Sequence, residues 1–98
     1  MRKITKESVQ AFNNCMRFKK ANMEVFYSKS QESTYMTLHG NTIAVKYKDK
    51  LTISTCGWQS NTTKERLNAL DGVNIYQKNW VWYLNGSEWD GSLIEIKK

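Results

Sequence analysis

Ninety-eight residues with 15 Lys or Arg against nine Asp or Glu, a net charge of +6, suit one basic domain spanning 1–98, because no linker-like break in composition divides them. No apolar run nears the roughly 20 residues that span a bilayer, and the charged opening MRKITKESVQ has no hydrophobic stretch behind it, so neither a membrane anchor nor a secretory signal is expected and the chain is placed in the cytosol. Cys15 and Cys56 lie far apart and His39 is the one histidine, which excludes a zinc-ligand spacing and a redox pair; two buried thiols, no metal and no cofactor are expected.

The charge is uneven. Residues 1–29 hold seven basic residues against Glu7 and Glu24, a balance of +5; residues 30–61 give +1, and residues 62–98 hold five of each sign. Lys3, Lys6, Arg17, Lys19 and Lys20 are therefore the expected contact surface for an acidic partner. Within this segment Thr5 suits an N-cap, with Ile4 and Val9 as its hydrophobic staple, and predicts a helix over about 6–16. Val9, Phe12 and Met16, with Ala11 and Cys15 beside them, form its apolar stripe.

MEVFYSK (23–29), TYMTLH (34–39), TIAVKY (42–47) and LTISTC (51–56) are short, rich in β-branched and aromatic residues, and separated by turn signals. They predict an antiparallel meander with turns at Gly40-Asn41 and Lys48-Asp49-Lys50. Alternation puts Met36 and Leu38 on one face, continued by Ile43, Val45 and Tyr47, then Leu51 and Ile53. His39 falls on the solvent side of its strand.

NTTKERLNALDG (61–72) returns to helical spacing. Thr62 and Glu65 suit a capping box, Leu67 and Leu70 face the core, and Asp71-Gly72 supplies the stop. Three further strands follow, VNIYQ (73–77), WVWYL (80–84) and LIEI (93–96), with turns at Lys78-Asn79 and Asn85-Gly86. The fold class is α+β: a mainly antiparallel sheet of about six to seven short strands with two helices on one face, in the order α-β-β-β-β-α-β-β-β.

Three of the four tryptophans crowd into NWVWYLNGSEWDG (79–91). Trp82 and at least one of Trp80 and Trp89 are expected in the core, with Trp89 folded back over the sheet, because so short a chain depends on large rings to fill its interior. Trp58 or Trp80, at loop ends, is the expected contact residue. The loop CGWQS can hold Trp58 and Gln59 out ahead of the second helix, with Lys64 and Arg66 one turn in, as a partner-binding loop.

LHGNTIAVK, GWQSNTTKERLNAL and WVWYLNGSEWDG together resemble a group of small proteins encoded by tailed bacteriophages. That group shares a Gly-Trp-x-Ser-x-Thr-Thr-x-x-Arg-Leu-Asn stretch and a closing Leu-Asn-Gly-x-x-Trp-Asp-Gly. The resemblance covers most of the chain and implies a phage origin and a life in the bacterial cytoplasm. It carries over no activity and no functional residue.

No nucleophile with a base, phosphate loop or carboxylate pair marks an enzyme; Glu88 and Asp90 sit among turn glycines. A non-enzymatic protein is expected, one that occupies a surface of a host protein or nucleoprotein complex, as inhibitors of restriction and CRISPR systems do. The alternative is binding of single-stranded DNA or RNA through the basic N-terminal third and exposed aromatics.

Overall fold

The computed structural model describes residues 3–48, 50–57 and 60–96. Helix α1 spans Lys3–Asn13, three residues earlier at each end than the spacing predicts. The cause at its start is Thr5, which does not cap: it is buried in the first turn, where its hydroxyl donates to Glu65 and accepts from Arg66. At the other end Cys15 turns left-handed (φ 54°), and bonds from Met16 N to Ala11 O and from Cys15 N to Phe12 O close a Schellman turn. Lys46 Nζ adds a cation at Asn13 O, 2.8 Å away, on the carbonyl end of the helix. The buried side is Thr5, Ser8, Ala11 and Phe12, so Met16, expected in the stripe, is exposed beyond it.

The strands are β1 (Phe18–Lys20), β2 (Met23–Ser28), β3 (Ser33–Leu38), β4 (Asn41–Tyr47), β5 (Lys50–Ile53), β6 (Ile75–Lys78), β7 (Val81–Leu84), β8 (Ser87–Glu88) and β9 (Ile94–Ile96), with helix α2 (Asn61–Asn68) between β5 and β6. The α+β architecture is as expected, with β1 and β8 added to the seven anticipated strands. The larger sheet runs β1-β2-β3-β4-β5-β9 and the smaller β6-β7-β8, every neighbouring pair antiparallel. Helix α2 and the small sheet are thus one excursion of chain between two paired strands, β5 and β9.

A β-bulge corrects the predicted alternation. Met36 pairs with Ala44 but Thr37 pairs with Thr42, leaving Ile43 as the extra residue. Ile43 and Ala44 are both buried, and one position later every side chain has changed face. Val45 and Tyr47 therefore leave the core side, and Lys46 takes it, which is how its ammonium reaches α1. The thiols are also not where composition put them: Cys15 is exposed in the turn after α1, and Cys56, exposed at φ 54°, donates its Sγ hydrogen to Thr42 O at 2.7 Å.

Ser60, not Thr62, caps α2, accepting from Thr63 N at 3.2 Å. Glu65 is unavailable for a capping box because its carboxylate bonds Thr5 and Arg66. Asn68 then fixes the helix to β6, accepting from Ile75 N and donating to Ile75 O. One apolar cluster joins both helices and both sheets, from Phe12, Met23, Val25 and Met36 to Leu67, Ile75, Leu84 and Ile96. Trp82 and Trp89, 7% and 6% exposed, belong to it. Trp89 Nε1 donates to Ser92 O, and the next turn presses Gly91 so close to Thr55 that an added Cβ would fall on its hydroxyl. Two of the three tryptophans crowded into this segment are thus core, with Trp80 the exception.

Candidate functional site

Among the described residues, three hairpins turn through two residues with positive φ at both: His39-Gly40, Asn85-Gly86 and Asn79-Trp80. Such turns match the twist of the flanking strands and favour glycine at the second place. Two of the three have it; the third has Trp80, at φ 68° and 92% exposed. The turn sits one residue later than Lys78-Asn79, and that shift puts Trp80 at the tip instead of on the strand.

The hairpin beneath it is two-sided. Ile75, Leu84 and Trp82 face the core, while cross-strand pairs Tyr76–Tyr83 and Lys78–Val81 face outward. The Tyr76 and Tyr83 rings stack at 5.3 Å and 13°. An apolar strip therefore runs from the tip down the outer face, on a rigid base. Covering roughly 200 Å² of one tryptophan at about 25 cal/mol/Å² is worth on the order of 5 kcal/mol before the costs of association.

Of the other expected contact residues, Lys64 is half-buried with Nζ 5.6 Å over the Trp82 ring, where it shields the core. Arg66 is 2% exposed, its Nη1 donating to Thr5 Oγ1 and Glu65 Oε1, so it joins α1 to α2 and offers no surface to a partner. Trp58 and Gln59 lie outside the described residues.

The five basic residues do not share one surface. Lys3 and Lys6 are exposed on α1. Lys20 is on the α1 side of the sheet, 3.3 Å from Glu7. Lys19 pairs with Glu24 in register and points to the opposite face, and Arg17 shares a shallow hollow with Glu24 and Phe26 there.

That opposite face was not anticipated as a site. Phe26, Tyr35 and Val45 are successive cross-strand partners on it, half-buried, and the Phe26 and Tyr35 rings stack at 5.2 Å and 18°. Tyr47 lies on the same face of β4, exposed, with Lys48 Nζ 5.3 Å from its ring centroid. The bulge that moved Val45 and Tyr47 across the sheet made this platform, and alternation alone could not reveal it.

His39 lies in the turn between β3 and β4, not on a strand, with Nε2 3.1 Å from Asn22 Nδ2. Hydrogen bonds from the Ser92 side chain and backbone hold the exposed Asp90 carboxyl below its ordinary pKa, which marks a tight turn. Among the described residues no group of three or more His, Cys, Asp or Glu could hold a metal ion, and no helix is long and apolar enough to cross a membrane.

Neither the curated proteins nor the solved structures contain a match to the chain. A family model, the Kyanoviridae Gp96 protein, matches residues 1–95. With that match covering nearly the whole of its length, the chain belongs to the Kyanoviridae Gp96 protein family, a family of bacteriophage proteins.

Proposed function

We propose that this phage protein is a non-catalytic binding protein that works in the host cytoplasm by occupying a surface of a host factor, with the Trp80 hairpin as its contact. A restriction or CRISPR nucleoprotein complex is the target class to test. The observation that carries the reading is Trp80 itself: the largest side chain, almost fully exposed, at a turn position where the two sister hairpins have glycine. Tryptophan is among the residue types that dominate interface energies, and the Tyr76–Tyr83 stack extends its apolar area. A second reading, single-stranded nucleic acid, draws its support from the open face of the larger sheet.

The test is a photo-crosslinking amino acid placed at position 80 in infected cells, with exposed Glu32 as the control position. A nuclease-resistant protein adduct from position 80 and none from position 32 is expected. No adduct, or the same adducts from both, would refute the Trp80 contact.

A further inference from the structure

We propose that the open face of the larger sheet binds a single strand of RNA. The inference gives a surface to the nucleic-acid reading and is independent of the Trp80 contact. Its starting point is the side-chain chemistry of a sheet covered on one face only. Core-facing positions hold Met23, Val25, Met36 and Ile53, all fully buried, whereas the opposite face carries the Phe26–Tyr35 stack and exposed Tyr47. Aromatic rings on an open antiparallel sheet can stack on bases of any identity, since every base has a π-face. From β1 to β5 the sheet advances four strand spacings of about 4.8 Å, room for about two or three bases.

Cations flank the rings on two sides. Arg17 and Lys19 stand at the β1 edge; Lys48 and Lys50 stand where β4 meets β5. Against these four cations the described residues of the face set two carboxylates: Glu24, opposite Lys19, and Glu95, on the far edge strand β9. Asp49, between Lys48 and Lys50 in the chain, lies outside the described residues. A second copy of this chain is a poor occupant, because two proteins of charge +6 repel and the face has no excess of carboxylates to offset that.

A hydroxyl in the same cross-strand row as the stacked rings chooses RNA over DNA. Thr52, half-buried on this face beside Val45, donates to the Val45 carbonyl at 3.5 Å, so its oxygen is left as an acceptor, whereas Thr37 on the same face is buried. An outward acceptor suits a 2′-hydroxyl donor, which DNA lacks, and does nothing for a phosphate oxygen.

The experiment is fluorescence anisotropy of a labelled oligouridylate at several salt concentrations, with the matching oligothymidylate in parallel. The oligouridylate should bind more tightly, with a log–log salt slope of about −3 for four phosphate contacts. Lys50→Ala should flatten that slope by about 0.7, and Tyr47→Leu should weaken binding about ten-fold at an unchanged melting temperature. Trp80→Gly should leave binding intact, which separates this surface from the protein contact. Four results would overturn the proposal: no binding at low salt, undiminished binding by both Tyr35→Leu and Tyr47→Leu, equal or tighter binding of the DNA strand, or a concentration-dependent dimer that Tyr47→Leu abolishes.

Discussion

His39-Gly40 and Asn85-Gly86 serve as internal controls for Trp80. All three hairpins have positive φ at the second turn residue, at 79°, 90° and 68° respectively. A side chain other than glycine in that region costs on the order of 1–3 kcal/mol, and a ring that is 92% exposed recovers little of it by packing. Trp80→Gly is therefore expected to stabilise the protein by about 1 kcal/mol, the strain relieved exceeding the extra unfolded-state freedom of glycine. In a chain of this length that is a rise in melting temperature of about 4–8 °C, read by thermal denaturation. A lower melting temperature would mean that the ring packs in the folded state. Asp90 makes a second residue-scale prediction, with the sign fixed by the depressed pKa in the folded protein. Its contribution is present above the unfolded value of about 3.9 and is lost as pH falls through the lower folded value. An NMR titration of the Asp90 carboxyl should show that low midpoint, and Ser92→Ala should raise it; a midpoint at the ordinary value would remove the turn bond from the account.

The elements differ in how far sequence disclosed them. Both helices and seven strands were legible because their hydrophobic period is strong, while β1 (Phe18–Lys20) and β8 (Ser87–Glu88) are too short and too polar to show one. The bulge at Ile43 was hidden because pairing register is a property of two strands, and it is what turns Val45 and Tyr47 outward. Two turns were placed one residue early or late, at Gly40 and Asn79, because glycine belongs at the second turn position and tryptophan gave no signal for it. Trp80 was legible as a loop-end ring; Arg66 was misjudged because its partner Thr5 is 61 residues away. That long-range knot gives an element-scale prediction. Arg66→Ala removes the donor shared by Thr5 and Glu65 and should cost about 3 kcal/mol in chemical denaturation, the low end for a buried pair, since Glu65 is part-exposed. A loss under about 1 kcal/mol would show that α1 and α2 are held by apolar contacts alone.

At the scale of the molecule, folding disperses what the sequence concentrates. The +5 balance of the first 29 residues ends as exposed lysines on α1, an ion-paired Lys20 beside them, and Arg17 and Lys19 on the far face of the sheet. Aromatic residues are instead gathered into two outward surfaces, the hairpin under Trp80 and the face around Phe26 and Tyr35. Most side chains of the segment GWQSNTTKERLN that the structure describes hold the fold together: Ser60 caps, Thr63 and Leu67 are buried, Arg66 ties the helices, and Asn68 clamps β6. The central claim is that function sits at Trp80, where stability is given up for exposure. Affinity capture from nuclease-treated host lysate, comparing the tagged wild-type chain with Trp80→Gly, tests it most directly. The account predicts a protein recovered by the wild type and lost with the variant, although the variant melts at the same or a higher temperature; equal recovery of that protein by both would contradict it.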